Sequence, residues 1–234
     1  RPAARSFNME RVGIVTALAD ESAILRENLG QYLGADSGVY EVHKYLLEGK
    51  QVYLINSGVG EIAAAMAAQY LAMQYKIEIV LNVGLVGSLN KNLRRGMLAL
   101  VKEVVHYDFT PSYSDISRMG IHIDRDSAIL TPSIAIAEKS EHFSELPKVR
   151  IASGDKFVND SAFKNMLVER FSCDICDMES AGLFFVCERY NLPLIMVKCV
   201  SDNADESADE SFNEAINAGV GQYVACVKEL LKQL

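Results

Sequence analysis

Apolar positions along the chain follow two rhythms that take turns. Compact runs rich in Val, Ile and Leu read as strands, and stretches with apolar residues three and four apart read as helices. "RVGIVTAL" (11–18) is the first buried strand. "DESAILRENLGQYLG" follows with helical spacing at Ile24, Leu25 and Leu29, and Gly34 closes it. "GVYEVHKYLLEG" and "KQVYLINSG" alternate apolar and polar residues, and their junction at Gly49 and Lys50 signals a hairpin. "EIAAAMAAQYLAMQY" is a strong helix entered through the glycines of "SGVG". "IEIVLNVGLVGSL" (77–89) is a central strand running into a Gly-rich turn, and "GMLALVKEVVHYDFT" is another long strand. The pattern then predicts an irregular loop over 115–125, a helix over 133–139 and a strand at "KVRIASGD". Next come a helix over 161–170, a strand at "CDICDM", a helix at "ESAGLFFVCERYN", a strand at "LPLIMVKCV" and one long helix over 208–234.

Strands that alternate with helices imply an α/β fold. The expected architecture is a single-domain three-layer sandwich, with a mostly parallel, mixed central sheet flanked by helices. The domain spans 9–234. The first eight residues, "RPAARSFN", lack the apolar stretch of a secretory signal and read as a cloning remnant or a disordered start. Sites in such folds lie at the carboxyl ends of the strands. Five strand ends qualify here: "ALADE", "NVGLVGS", "ASGDKFVND", "CDMES" and "KCVSDNAD".

Composition narrows the classes. Half of the 234 residues are hydrophobic, so the chain can bury a core. Its net charge of −8, from 23 basic and 31 acidic residues, argues against a nucleic-acid surface. No run of about 18 apolar residues predicts a membrane span. Five cysteines without a regular framework suit a reducing, cytoplasmic compartment. "CDIC" has redox or zinc spacing but no second pair to complete it, so buried thiols are the better reading and no metal or cofactor is expected.

Candidate chemistry rests on carboxylates. The glycine turns "GVGEIAAA" and "GLVGS" suit a close ligand but match neither a P-loop nor a dinucleotide fingerprint. No G-x-S-x-G is present, and the four histidines are scattered along the chain. Asp20, Glu21, Asp155, Asp177, Glu179 and Asp202 all fall at strand ends. One such acid is ordinarily a helix cap, as Asp20 would be, whereas several at one edge form a polar pocket able to supply a general acid and base.

The motifs "VGIVTALADE", "SGVGEIAAA", "NVGLVGSL", "SGDKFVN", "CDMESAG" and "SDNADES…SF" occur in an order that resembles the nucleoside phosphorylase/nucleosidase superfamily. Within it the chain is most similar to the 5′-methylthioadenosine/S-adenosylhomocysteine nucleosidases, enzymes of methionine salvage. The resemblance covers almost everything from Met9 on. It implies hydrolysis of an N-glycosidic bond, releasing adenine and a 5-thioribose product. By the same resemblance, Glu21 activates water, Glu179 holds the ribose hydroxyls with Met178 packed on the sugar, and Asp202 serves purine N7. Phe157 stacks on adenine, the Val158 backbone meets its edge, Gly84 lines the substrate site, and Leu18 and Phe212 meet the 5′-alkylthio tail. A homodimer is implied as well.

The resemblance also frames the alternatives. Phosphorylases of the superfamily carry an arginine-bearing "GDPxR"-like turn after the first strand, where this chain has "TALADES". Two positions depart from the nucleosidase pattern: Lys198 stands where an arginine is expected near the water and sugar, and Leu85 replaces a small hydroxyl residue. Lys198 keeps the charge without the guanidinium fork. A purine nucleoside phosphorylase is the runner-up, and a catalytically silent nucleoside-binding protein is the reading from another class.

Overall fold

The computed structural model describes residues 9–112, 115–219 and 221–234. The expectation for the first eight residues lies outside them. The fold is α/β, built on one ten-stranded mixed sheet. Its strands are β1 (Arg11–Thr16), β2 (Gln31–Ser37), β3 (Glu41–Leu47), β4 (Lys50–Asn56), β5 (Ile79–Ser88), β6 (Leu98–His106), β7 (Ile129–Leu130), β8 (Lys148–Ser153), β9 (Ile175–Asp177) and β10 (Leu194–Asp202). The helices are α1 (Ala19–Asn28), α2 (Glu61–Gln74), α3 (Glu141–Ser144), α4 (Ser161–Phe171), α5 (Ser180–Tyr190), α6 (Ala208–Gly219) and α7 (Gly221–Gln233).

Every residue of β5 and β10 is buried, which is why both strands read as mainly apolar runs. Their side chains alternate between two apolar clusters. Ile195, Val197 and Cys199 pack toward Leu25 of α1 and Val227 and Leu230 of α7. Leu194, Met196 and Val200 join the cluster that holds Ala64 and Leu71 of α2 and Ala181 and Leu183 of α5. Period-two alternation places Lys198 on this second face, the only charged residue in an apolar series.

Parallel and antiparallel pairings are equally frequent among the described strands, so the sheet is mixed rather than mostly parallel. The strand β9, antiparallel to β5 and parallel to β8, causes part of this. It pairs with β5 on one side and β8 on the other, and the pairings β5–β10, β10–β6 and β6–β8 complete a closed ring. That ring gathers the ends of β5, β8, β9 and β10 around one space.

Two elements differ from the sequence pattern. The first helix stops at Asn28, and Gly30, at a φ of +114°, turns the chain into β2. This strand lies at the sheet edge with almost every residue exposed, so it carries no burial pattern to announce it. The stretch 133–139 forms only a 3₁₀ turn, Ala137–Lys139, before α3. Ile136 and Ala137 of this stretch are buried, as is Phe143 of α3. The last helix of the sequence pattern is helical over its described residues, Ala208–Gly219 and Gly221–Gln233.

Candidate active site

The carboxyl ends of β1, β5, β9 and β10 and the loop after β8 enclose a cavity of about 340 Å³. All ten residues singled out as the candidate site line it: Leu18, Glu21, Gly84, Phe157, Val158, Met178, Glu179, Lys198, Asp202 and Phe212.

Glu21 enters from the first turn of α1. Its Oε2 accepts the Leu18 and Ala17 N–H groups at 3.1 and 3.3 Å, and its Oε1 accepts the Leu85 N–H at 3.0 Å. The carboxylate thus caps its own helix and reaches across to β5 beside Gly84. Burial pushes its pKa up; the three N–H donors and the Lys198 ammonium oppose the rise. Asp20, the neighbour that reads as a cap, is exposed and does not cap. Leu85 needs no hydroxyl for its contact with Glu21, because the donor is its backbone.

The junction of β9 and α5 supplies two acids. Asp177 Oδ2 accepts from Lys198 Nζ at 2.8 Å and from Ser180 Oγ at 2.6 Å. Burial alone would raise Asp177, but Lys198 and the Ser180 hydrogen bonds win and hold it below the usual carboxylate value. Lys198 is 1% exposed, and a buried ammonium needs such a partner. Glu179 Oε1 accepts the Gly60 N–H at 3.1 Å. Burial, then the nearby Asp177 charge, lift Glu179 to about 7.

Asp202 arrives through a β-bulge. Val200 pairs with Val86 and Asp202 with Gly87, so Ser201 is the extra residue that re-aims the acid. Asp202 Oδ1 accepts the Ala204 N–H at 2.7 Å, and Oδ2 lies 2.6 Å from Ser201 Oγ. Ser201 Oγ also lies 3.1 Å from the Val86 carbonyl. One hydroxyl proton cannot serve both oxygens. A proton on Asp202 resolves the conflict: Asp202 then donates to Ser201, and Ser201 donates to Val86. Burial independently raises the Asp202 pKa.

Apolar groups complete the cavity. Phe157, 41% exposed, meets Phe212 of α6 edge-on, with centroids 5.7 Å apart. Leu18, Val59 and Val158 line the cavity with them. Asp155 stands apart from this wall and caps α2 through the Glu61 N–H at 2.8 Å. The sequence reading missed the Asp177–Lys198 pair, though the lone lysine in β10 was its signal. It also read the histidines as scattered. His106 and His122 instead meet at 3.0 Å, and His106 Nε2 lies 2.7 Å from Glu61 Oε2. The two cysteines of "CDIC" are free and buried, in a third cluster with Leu167 and Phe171.

The model of the phosphorylase superfamily matches residues 11–234. The chain belongs to this superfamily. A 5′-methylthioadenosine/S-adenosylhomocysteine nucleosidase of Bacillus cereus is 31% identical to it over 203 residues, covering 83% of this chain and 86% of the relative. Among solved structures, futalosine hydrolase of Helicobacter pylori superposes with a TM-score of 0.87 at 25% identity, covering 97% of this chain and 99% of that one. The 5′-methylthioadenosine/S-adenosylhomocysteine nucleosidase of Neisseria meningitidis, in complex with methylthio-immucillin-A, superposes with a TM-score of 0.88 at 26% identity, covering 97% and 100%. Members of one superfamily with different substrate names thus share this backbone.

Proposed function

We propose that the protein hydrolyses the N-glycosidic bond of 5′-methylthioadenosine, S-adenosylhomocysteine or both, releasing adenine. The observation that carries this reading is the cavity's charge. Four carboxylates line it against two ammonium groups, Lys156 and Lys198, with no arginine among the described lining residues. Lys198 is already paired with Asp177. Such a wall repels phosphate and suits water. Cleavage leaves electrons on the purine and positive charge on the ribose. A neutral Asp202 donates its proton or a hydrogen bond at the purine, and ionised Glu21 takes a proton from water. Glu179 accepts from the ribose hydroxyls, and the Phe157–Phe212 wall takes the base and the 5′ tail. No cofactor enters the scheme.

The two apolar clusters support the finer reading of the fold as a three-layer sandwich of the phosphorylase type. An exposed stripe on α2, made of Ile62, Met66 and Met73, supports a homodimer that covers it. The five free, buried thiols support a cytoplasmic setting.

The test is adenine release from 5′-methylthioadenosine with and without phosphate. Release independent of phosphate supports hydrolysis. Release that needs phosphate and yields ribose 1-phosphate products makes the protein a phosphorylase, and binding without release makes it a silent binder. Running S-adenosylhomocysteine and futalosine beside it sorts the substrates named for its structural relatives.

A further inference from the structure

A second cluster of titratable side chains, centred on the buried Glu61, lies where the starts of α2 and α5 meet. Glu61, the first residue of α2, is 8% exposed. Its Oε1 accepts from Ser153 Oγ at 2.9 Å, and Ser153 Oγ accepts the Ala181 N–H of α5 at 3.0 Å. Its Oε2 meets His106 Nε2, and His106 Nδ1 meets His122 Nε2. His122 stacks on Phe109 at 4.0 Å, which fixes the far end of the chain of contacts. The Glu61 N–H is held by Asp155, and Gly182 packs so close to the Glu61 carbonyl that a Cβ there would overlap it. Glu61 is therefore held through its side chain, its N–H and its carbonyl. The adjacent peptide carries the Gly60 N–H that Glu179 accepts.

We propose that Glu61 is a positioning residue for Glu179: Ser153 and His106 clamp its carboxylate so that the Gly60 N–H is presented to the Glu179 carboxylate. This rests on the reading of Glu179 as the ribose carboxylate. Glu179 is faced by Asp177, Lys198 and Glu21, and by the Gly60 and Met178 N–H groups. A donor to a carboxylate favours its charged form. Removing the clamp therefore moves the ionisation of Glu179 upward from about 7, whereas a purely structural Glu61 leaves it in place.

The experiment compares Glu61→Ala, Ser153→Ala and Glu61→Gln with wild type, using 5′-methylthioadenosine across the pH range. Gln keeps an acceptor for Ser153 and can donate to His106. In Glu61→Ala the rising limb of kcat/KM moves up by roughly one pH unit and kcat/KM falls on the order of tenfold, chiefly through KM, as for one weakened hydrogen bond to a charged group. Ser153→Ala moves the limb the same way by less, and Glu61→Gln restores it. A limb that stays in place in both alanine variants, at whatever overall rate, overturns the proposal. If wild type releases no adenine, the parent reading fails, and the same limb is then read from the Kd for 5′-methylthioadenosine by calorimetry.

Discussion

The ends of β9 and β10 each bury an aspartate in the same cavity wall, and they set its charge in opposite ways. Asp177 has an ammonium 2.8 Å away and a pKa below the usual value. Asp202 has a hydroxyl and one backbone N–H, and its pKa is raised by burial. Depth is similar, at 8% and 1% exposure, so burial does not decide the outcome. The counter-charge does. One strand, β10, supplies both conditions: Lys198 is aimed at Asp177, and the bulge at Ser201 re-aims Asp202, whose hydrogen-bond partners are the Ser201 hydroxyl and the Ala204 N–H. A neutral acid and an ionised one can therefore coexist at the ends of two strands that line one cavity.

The largest expected effect comes from deleting the difference. Lys198→Met leaves Asp177 buried without its partner, which costs about 3–5 kcal/mol of stability at neutral pH. Burial then raises the Asp177 pKa, so the loss should shrink as pH falls and the acid takes up a proton. Wild type behaves oppositely. Its depressed Asp177 contributes stability present above the ordinary value of 3.8 and lost as pH falls through the folded pKa. Urea midpoints at several pH values check this, and Asp177→Asn in the Lys198→Met background should recover most of the loss. A pH-independent penalty would show that the lysine acts by packing alone.

Next comes the neutral acid itself. Asp202→Asn keeps the Ala204 contact, because the amide retains a carbonyl oxygen, but removes the proton for the purine. Turnover of 5′-methylthioadenosine should fall on the order of 10²–10⁴-fold with the urea midpoint little changed. Near-normal turnover would reduce Asp202 to a turn-forming residue.

Glu179 lies between the two cases, faced by both Asp177 and Lys198 and raised to about 7. Its folded pKa is above its ordinary 4.5, so between these values the native state binds more protons than the unfolded one, and stability falls as pH rises. Glu179→Gln should therefore be the more stable protein at pH above 7, by on the order of 3 kcal/mol, with the gain vanishing at acid pH. It should also lose affinity for the nucleoside. Thermal melts at acid and alkaline pH read the first effect, and equal stability at both would refute the shift.

These contrasts explain what the chain's pattern revealed and what it hid. Strands β1, β5 and β10 were legible because each is buried along its length, and their acidic ends were legible because polar residues interrupt apolar runs abruptly. The ten candidate residues were assigned through the family resemblance of short local motifs, most of them at strand ends, with Phe212 in α6. Partnerships across the chain were not legible. Asp177 and Lys198 are 21 residues apart, and Ser153 and Glu61 are 92 apart; no local rhythm encodes either pairing. The antiparallel insertion of β9 was hidden for the same reason. A three-residue strand shows burial but not direction, so the closed ring appears only in the pairings. The polar edge strand β2 was absorbed into the preceding helix because it buries almost nothing.

The smallest expected effect distinguishes two adjacent acids. Asp20 and Glu21 both sit in the first turn of α1, where negative charge favours the helix. Asp20 is exposed, while Glu21 is 2% exposed and bonded to three backbone N–H groups. Asp20→Asn should cost no more than about 0.3–1 kcal/mol, the value of one exposed charge at a helix start, and that cost should shrink in salt. Its KM and kcat for 5′-methylthioadenosine should match wild type. A large fall in kcat would move the water-activating role from Glu21 to its neighbour. It would also mean that burial and backbone donors do not mark the working carboxylate of this cavity, where counter-charge is what separates Asp177 from Asp202.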